Sequence, residues 1–400
     1  MNIWILNHYA GTPETTLATR PFDLSKELVK RGHSVTIFAS SFSHYELVEK
    51  VLQPGENWKA ENYDGVRFIW VKTFPYKRND WRRVTNMVSY AWRAFWVGKG
   101  LKERPDVIIG TCVHPLAVLS AYVLSIFKKS RFFFEVTDLW PQTIVDMGAL
   151  SERSPITWGL RVLEKFLYQK AEKIITLMPH ADEYITSLGV SKDKIVWIPQ
   201  CIDLARYEGL REYRGGNSKS FTLVYLGHHG VASALEVILE AAKVLQDEAK
   251  ENIRFVFVGE GAEKPNLIEL SEDVGLHNAE FRDPVPKNEV VEVMGEADAF
   301  VLSLRDTPLY KYGVSLNKLC DYLASGRPIL FAGNASNNPV EEAKAGITVP
   351  PENPMALAQA ITRLVAMKPV ERIQMGKNGL EYVKKHHDIR VLADRLAALF

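Results

Sequence analysis

Two charged side chains stand in the first turns of a predicted helix in the second half of the chain. In the stretch KYGVSLNKLCDYLASGRP, residues 311–328, Lys318 and Asp321 follow a glycine-containing turn. Free N–H groups at a helix start and a nearby ammonium group favour an anion, and a carboxylate accepts paired hydrogen bonds from a ribose diol. Their i, i+3 spacing brings both side chains within reach of one ligand. The pattern predicts a nucleoside diphosphate site, and the alternative is a plain surface Lys–Asp pair.

A second glycine-containing turn, GHHG at residues 227–230, follows a predicted strand of the same half. Glycine at a strand-to-helix turn lets the backbone approach a ligand closely, and free N–H groups there suit a phosphate. The donor-site residues predicted here are Gly227, His228, His229 and Gly230. A protonated histidine among them would add positive charge. The alternative is that the glycines serve the geometry of the turn alone.

The elements that position these turns alternate along the whole chain. Short runs rich in Val, Ile and Phe, such as NIWILN (2–7) and FTLVYLG (221–227), alternate with segments of helical period. This pattern is typical of parallel sheets covered by helices. Two such arrays in 400 residues predict two doubly wound α/β domains that face each other across a cleft, with a linker at residues 199–217.

Composition narrows the class of protein. Lys and Arg number 49 and Asp and Glu number 48, a balance that does not favour nucleic acid as a partner. The three cysteines lack metal-ligand spacing, which predicts buried thiols in a reducing cytoplasm. No run of about 20 apolar residues is present, so no membrane-spanning helix is predicted.

Four stretches resemble glycosyltransferase family 4, whose members have the GT-B fold. They are SLRDTPLYKYGVSLNKLCDYLASGRPIL (303–330), NIWILNHYAGTPE (2–14), FEVTDLWPQTIVDMGAL (134–150) and IPQCID (198–203). Within the family they are most similar to bacterial O-antigen and capsule enzymes of the fucosamine-transferase type. The resemblance implies an acceptor-binding domain over residues 1–200, a nucleotide-sugar-binding domain over 201–384, and a last helix over 385–400 that returns to the first domain.

The resemblance also implies roles at the donor site. Family members carry E-x7-E, whose second acid holds the ribose and matches Asp321, whereas the first matches Gly313. The arginine and lysine that hold the donor pyrophosphate match His228 and Ser233 here. Lys318 is therefore the predicted substitute for the missing cations.

Backbone groups complete the predicted donor site. The N–H groups of Val314 and Ser315 are expected to assist Lys318 at the diphosphate. By resemblance, the loop DPVPKNEV (283–290) contacts the nucleobase through its backbone, with Asp283 and Val285 as the residues concerned. No metal or other cofactor is predicted, because one close pair of acids in EVTDLW is too little for a metal site.

The first half supplies candidates for the acceptor and the chemistry. Gly11 and Arg20 lie in or beside the long polar loop after the first strand, where Arg20 is expected to grip an acceptor phosphate, pair with an acid, or pack at a helix start. His114 and Asp138 follow the fourth and fifth strands. Related enzymes place a histidine near His114 on the donor sugar or acceptor, with a turn-capping histidine as the alternative. Asp138 is the predicted acceptor of the hydroxyl proton.

Residues 75–104 combine aromatic and basic side chains on a predicted helix and the loop before it. Aromatic rings with cationic flanks suit the headgroup layer of an anionic bilayer. The membrane-contacting residues predicted here are Trp81, Arg82, Arg83, Trp92 and Trp96. The alternative is an ordinary core helix whose aromatics face the sheet.

The resemblance, taken with these features, implies a retaining glycosyltransferase of the hexosyltransferase class. Its expected donor is a nucleotide-sugar, with UDP favoured by the family, and its expected acceptor is a saccharide on a polyprenyl diphosphate. Such an enzyme would be cytoplasmic and peripheral to the inner membrane, in bacterial surface polysaccharide synthesis. Two alternatives are a nucleotide-sugar epimerase of the same fold and a non-catalytic protein that binds sugar nucleotides or membrane surfaces.

Overall fold

The computed structural model describes residues 1–12, 19–44, 46–78, 80–216, 220–250, 252–285 and 289–400. Residues 13–18 of the predicted loop after the first strand lie outside the described residues, as do 286–288 of the predicted nucleobase loop. The chain forms two compact units, one of Met1–Cys201 with Ile389–Phe400 and one of Ile202–Asp388. Each is an α/β unit built on a parallel sheet, so the predicted fold class is confirmed.

The sheet of the first unit has eight strands. They are β1 (Asn2–Leu6), β2 (Ser34–Ser40), β5 (Trp58–Tyr63), β6 (Val66–Val71), β7 (Val107–Thr111), β8 (Arg131–Val136), β9 (Lys173–Thr176) and β10 (Ile195–Trp197), and a separate ribbon pairs β3 (Phe42–Ser43) with β4 (Val48–Glu49). The order in the sheet is β10-β9-β8-β7-β1-β2-β6-β5, parallel throughout except between β5 and β6. Central strands such as β1 and β7 are continuous apolar runs because helices cover both faces.

The edge strand β5 is absent from the sequence prediction. Its sequence WKAENY alternates between half-buried and exposed positions, so it has no apolar run that would indicate a strand. A two-residue turn at Asp64 and Gly65, both with positive φ, joins β5 to β6. Such turns suit the right-handed twist of an antiparallel pair.

Six helices flank this sheet in the first part of the chain. They are α1 (Arg20–Lys30), α2 (Trp81–Gly100), α3 (Pro115–Lys128), α4 (Gln142–Asp146), α5 (Pro155–Lys170) and α6 (Ala181–Ser187). The starts of α2, α3 and α5 are capped by the side chains of Asp80, His114 and Ser154, which accept backbone N–H bonds. Helix α3 packs between α2 and α5. These three helices therefore form one layer.

The second unit repeats the scheme with six parallel strands. They are β11 (Phe221–Leu226), β12 (Ile253–Val258), β13 (Ala279–Arg282), β14 (Ala299–Ser303), β15 (Ile329–Ala332) and β16 (Gly346–Val349), in the order β13-β12-β11-β14-β15-β16. The helices are α7 (Glu236–Asp247), α8 (Lys264–Asp273), α9 (Val290–Glu296), α10 (Asn317–Ala324), α11 (Pro339–Glu342), α12 (Pro354–Ala366) and α13 (Pro369–His386). The turns that follow β11, β12 and β14 lie at the carboxyl edge of the sheet, where such folds bind ligands.

The last helix, α14 (Ile389–Ala397), belongs to the first unit. It packs on α1, and Arg31 pairs with Asp394 at 2.7 Å. Leu392 and Leu396 are buried on its apolar face. The second unit extends to Asp388, four residues beyond the predicted boundary at residue 384. Among the described residues, no helix combines the length and apolar character needed to cross a bilayer.

Candidate functional site

The segment that leads into α10 contains a glycine turn, and a side-chain amide group bonds to its backbone. Gly313 has φ +94° and ends the 3-10 turn Pro308–Tyr312, a backbone conformation that favours glycine. The N–H of Val314 donates to Asn337 Oδ1 at 2.6 Å, and its carbonyl accepts from Asn337 Nδ2 at 2.9 Å. Asn337 therefore occupies the Val314 N–H in this structure, and contact of that group with a phosphate stays a prediction. Ser315 is half-buried beside it.

The ammonium group of Lys318 bonds to hydroxyl groups rather than to a carboxylate. Its Nζ donates to the hydroxyl of Tyr225 at 2.5 Å and to Ser233 Oγ at 3.3 Å, and it lies 4.6 Å from the centre of the Tyr225 ring. A Cβ atom added to Gly227 would stand 3.3 Å from Lys318 Cε, so the turn after β11 and the start of α10 meet at this side chain. Burial lowers the pKa of Lys318 to about 8.

The GHHG turn places one histidine in solvent and one inside the unit. His228 is exposed and its carbonyl accepts from Tyr225 at 2.7 Å, whereas His229 is fully buried. Neither ring nitrogen of His229 has a hydrogen-bond partner in the part of the chain that the structure describes. Burial lowers the pKa of His229 to about 4. A lowered pKa favours the neutral form of His229, so burial of this ring works against a protonated histidine at this position.

The GEG turn at residues 259–261 lies directly against this histidine. A Cβ atom on Gly261 would stand 2.2 Å from the carbonyl oxygen of His229, and one on Gly259 would stand 2.0 Å from that of Gly227. Both contacts are too short for any side chain. The two glycine turns thus pack backbone to backbone, and they leave Gly230 half-buried at the end of the first turn.

Asp321 lies one turn beyond Lys318, and a residue of the predicted linker donates a hydrogen bond to its carboxylate. The hydroxyl of Tyr207 donates to Asp321 Oδ1 at 2.6 Å. Burial and the neighbouring carboxylate raise the pKa of Tyr207, so this hydroxyl stays protonated. Because Lys318 bonds to hydroxyl groups, the alternative of a plain surface Lys–Asp pair does not describe this helix.

The start of the predicted nucleobase loop is tied to α8. Lys264 donates to Asp283 Oδ1 at 2.8 Å and to the carbonyl of Arg282 at 3.2 Å. This lysine is 8% exposed, and its hydrogen bond lowers the pKa of the exposed Asp283. Val285 packs against the core of the unit. Lys264 therefore fixes the position of the loop at Asp283.

In the first unit, Arg20 forms a buried ion pair with Glu135. Its Nη1 donates to Glu135 Oε1 and its Nη2 donates to the carbonyl of Ile198 at 3.1 Å. The other oxygen of Glu135 accepts from Thr111 at 2.8 Å. Arg20 is 7% exposed. In this structure Arg20 pairs with an acid, which is one of the alternatives given above, and its contact with an acceptor phosphate stays a prediction.

His114 is fully engaged within the unit. Its Nδ1 accepts from the N–H of Ala117 at 3.2 Å and its Nε2 lies 2.8 Å from Nδ1 of His8. Only 1% of the residue is exposed. Both ring nitrogens of His114 have partners within the unit, and the cap at α3 agrees with the alternative of a turn-capping histidine, whereas a substrate contact stays a prediction.

Asp138 and Gly11 follow the ends of β8 and β1. Asp138 is exposed to solvent, so its carboxylate is open to a hydroxyl group that gives up a proton. Gly11 is buried beside the part of the loop outside the described residues. In the described residues, no group of three or more His, Cys, Asp or Glu is arranged to hold a metal ion.

The aromatic helix α2 divides into two faces. Met87 and Tyr90 are buried, whereas Trp81, Trp92 and Trp96 are 66%, 64% and 47% exposed. Arg82 is exposed and contacts Asp80, and Arg83 is half-buried. The alternative of a core helix thus accounts for one face only. The other face presents indole rings to solvent.

The comparisons with known proteins agree with this architecture. Residues 15–201 match the family model described as glycosyl transferase 4-like domain, and residues 220–367 match the model described as glycosyl transferases group 1. The chain is 21% identical over 270 residues to WcaI of Escherichia coli K12, named as a glycosyl transferase of colanic acid biosynthesis. That alignment covers 64% of each chain, slightly less than two thirds of the relative.

Two solved structures show the same fold over the full length. Sucrose-phosphate synthase from Thermosynechococcus elongatus has a TM-score of 0.77 at 17% identity, covering 100% of this chain and 98% of that one. Anabaena HepE, solved in complex with UDP-glucose, has a TM-score of 0.69 at 12% identity, covering 100% and 99%. The fold is therefore GT-B. The chain belongs to glycosyltransferase family 4, as the resemblance predicted.

Several residues of the site were not predicted from the sequence. Tyr225 orients Lys318, and Tyr207 orients Asp321. These tyrosines lie in a strand and in the predicted linker, and neither belongs to a sequence motif that would indicate such a role. Lys264 follows GEG closely, and a lysine at a helix start after a glycine turn was a usable signal. His8 was not singled out, because its role depends on a contact with a residue 106 positions away.

Proposed function

We propose that this chain is a retaining glycosyltransferase that moves a hexose from a nucleotide-sugar, with UDP as the nucleotide, to a saccharide acceptor in bacterial surface polysaccharide synthesis. The observation that carries the proposal is the ammonium group of Lys318, which lies among hydroxyl groups beside the turn at Gly227 and forms no ion pair in the described residues. A partly buried cation without an ion-pair partner in the described residues is suited to an anionic ligand. The name of WcaI and the UDP-glucose bound to HepE support this direction.

The chemistry follows from the charge that develops during transfer. As the glycosidic bond stretches, negative charge grows on the departing diphosphate, and Lys318 stabilises it. The carboxylate of Asp321, oriented by Tyr207, accepts hydrogen bonds from the ribose. Asp138 takes the proton of the acceptor hydroxyl. A front-face route with retention needs no enzyme nucleophile, because the leaving diphosphate and the incoming hydroxyl share one face of the sugar.

Acceptor-dependent release of nucleoside diphosphate tests the proposal. The full chain is incubated with UDP-sugars and GDP-sugars, with and without polyprenyl-diphosphate monosaccharides, and products are followed by mass spectrometry. We expect release of UDP only when donor and acceptor are both present, with the anomeric configuration of the donor kept. Free epimer without acceptor would support an epimerase instead. Binding without turnover across the panel would support a non-catalytic binding protein.

Transfer is proposed to be independent of a divalent metal. Lys318 supplies at the diphosphate the positive charge that a metal would otherwise provide. We expect turnover to change by less than about twofold after dialysis against EDTA, and to remain unchanged when Mg²⁺ or Mn²⁺ is restored. A loss of activity with EDTA that Mg²⁺ or Mn²⁺ reverses would contradict metal independence without contradicting glycosyl transfer.

We also propose that the acceptor is lipid-linked and that the enzyme binds the cytoplasmic face of the inner membrane through α2. The exposed face of α2 carries an apolar stripe at helical spacing, made of Trp81, Val84, Val88, Trp92 and Trp96. Lys99 lies 4.6 Å from the Trp96 ring centre and 4.7 Å from that of Phe127. Apolar rings beside cations suit an anionic bilayer surface.

The apolar face continues across the neighbouring helices. Phe127 at the end of α3 is 56% exposed and contacts Phe95 of α2, with ring centres 5.4 Å apart. Helix α5 presents a second stripe of Trp158, Val162 and Phe166, of which Trp158 is 71% exposed. Lys170 lies 5.7 Å from the centre of the Phe166 ring. We call the exposed apolar residues of α2, α3 and α5 the apolar face.

Removing indole rings from the apolar face is expected to weaken vesicle binding on the order of 100-fold. Each ring that enters the lipid contributes roughly 1 kcal/mol or more, so Trp92→Ser, Trp96→Ser and Trp158→Ser together remove about 3 kcal/mol. Co-sedimentation with vesicles of phosphatidylethanolamine and phosphatidylglycerol measures the change. The matched control is Met355→Ser with Val370→Ser, two exposed apolar positions in the second unit. Equal binding by both variants would contradict a membrane role.

A further inference from the structure

His8 is a buried histidine whose ring is fixed by aromatic stacking. It follows β1 and is 1% exposed. Its ring stacks on Tyr90, with centres 4.2 Å apart and planes 5° from parallel, and on Tyr9, with centres 4.4 Å apart and planes at 18°. The hydroxyl of Tyr90 is anchored on the carbonyl of Phe38 at 2.7 Å. The imidazole therefore has a fixed plane.

A chain of hydrogen bonds determines where the proton of His8 lies. The N–H of Ala117 donates to Nδ1 of His114, so that nitrogen carries no proton. Neutral His114 must then carry its proton on Nε2, which donates to Nδ1 of His8 at 2.8 Å. The same rule places the proton of neutral His8 on Nε2. Burial keeps both rings neutral, since it lowers the pKa of His114 to about 3 and that of His8 well below its usual value.

The Nε2 of His8 has no hydrogen-bond partner in the described part of the chain. Buried N–H groups are normally paired, so an oriented donor without an acceptor indicates a ligand atom. The charged and titratable groups that act on His8 are His114, His44 and Arg83, and no carboxylate is among them. His44 stacks on Tyr9 and bonds to the hydroxyl of Tyr76. The surroundings are aromatic and neutral to positive, which suits an oxygen-bearing ligand.

We propose that Nε2–H of His8 donates to an oxygen of the saccharide acceptor, and that His114 is a positioning residue that fixes the tautomer of His8. The proposal rests on the glycosyltransferase function. The oxygen belongs to a sugar hydroxyl or to the phosphate that joins the sugar to its lipid, and either one accepts the same hydrogen bond.

Imidazole spectra of the full chain labelled with ¹⁵N-histidine test the tautomers without any turnover. We expect neutral rings protonated on Nε2 for both His8 and His114, and a mixture of tautomers for His8 in His114→Phe. The probes are polyprenyl diphosphates carrying glucose, galactose or N-acetylglucosamine, with the free sugars and inorganic diphosphate as separate arms. A shift of the His8 Nε2–H with a sugar indicates a hydroxyl, and one with diphosphate indicates a phosphate. Protonation of His8 on Nδ1, or no shift with any probe, would overturn the proposal.

Kinetics separate this proposal from the function on which it rests. His8→Phe keeps the stacked ring but removes the donor, so we expect the KM for acceptor to rise about fivefold to tenfold while the KM for donor stays within twofold. His8→Gln restores an N–H near the same place and is expected to recover part of the loss. An unchanged acceptor KM in His8→Phe would overturn the role of His8 alone. Absence of acceptor-dependent turnover in the unmodified enzyme would instead reject the function.

Discussion

Replacing Lys318 with methionine is expected to lower kcat for sugar transfer by about 100-fold to 1,000-fold. The ammonium group acts on charge that develops on the diphosphate in the transition state, and removal of one oriented donor at such a place typically has an effect of this size. Methionine keeps most of the apolar stem, which packs against Gly227 and the Tyr225 ring. Initial rates with saturating donor and acceptor measure the effect.

The matched control is Lys311→Met, which removes an exposed lysine from the turn before α10. Lys311 is exposed, and its ammonium group lies 4.7 Å from the centre of the Tyr312 ring. We expect it to retain activity within about twofold. If Lys318→Met also stays within twofold, the assignment of the diphosphate to this lysine is wrong.

Nucleotide binding should depend on pH through the same lysine. The pKa of Lys318 is lowered to about 8 by burial, so the positive charge is present below that pH and is lost as pH rises. The affinity for UDP is therefore expected to fall about tenfold per pH unit above pH 8, as titration calorimetry at pH 7.5, 8.5 and 9.5 would show. Tyr225, with a pKa of about 12, and neutral His229 do not titrate in this range. In Lys318→Met the affinity should be weak and constant, and a constant affinity in the unmodified protein would contradict the assignment.

The fold was predictable because parallel strands buried on both faces leave continuous apolar runs in the sequence. The same sequence placed Lys318 and the turn at Gly227 in one site, since both follow strands of one parallel sheet. Strand β5 was not predicted, because an edge strand needs no apolar run in the sequence. Secondary structure and the proximity of Lys318 to the turn at Gly227 therefore follow from local patterns.

The state of individual side chains did not follow from those patterns. Whether Arg20 meets a ligand or an acid depends on Glu135, 115 positions away, and the tautomer of His8 depends on a cap at α3. The N–H of Val314 is satisfied by Asn337 from another loop. Each is a contact between distant segments, and one sequence alone does not specify such contacts.

The second large effect that we expect is a loss of stability when the buried ion pair of Arg20 and Glu135 is broken. Arg20→Met leaves a carboxylate buried without its cation, which typically costs about 3–5 kcal/mol of unfolding free energy. All nine tryptophans lie in Met1–Cys201, so their fluorescence during urea unfolding reports on the first unit. We expect an earlier transition in Arg20→Met and partial recovery in Arg20→Met with Glu135→Met, because the second change removes the unpaired charge.

The control pair is Arg67 with Glu103, which lie 2.8 Å apart with side chains 34% and 46% exposed. Arg67→Met should cost less than about 1 kcal/mol, since exposed ion pairs contribute little. The comparison also separates the two roles considered for Arg20. A residue that gripped the acceptor phosphate would raise the acceptor KM on substitution and leave the fluorescence transition in place. A buried ion pair shifts the transition, because its loss acts on the folded unit before any substrate binds.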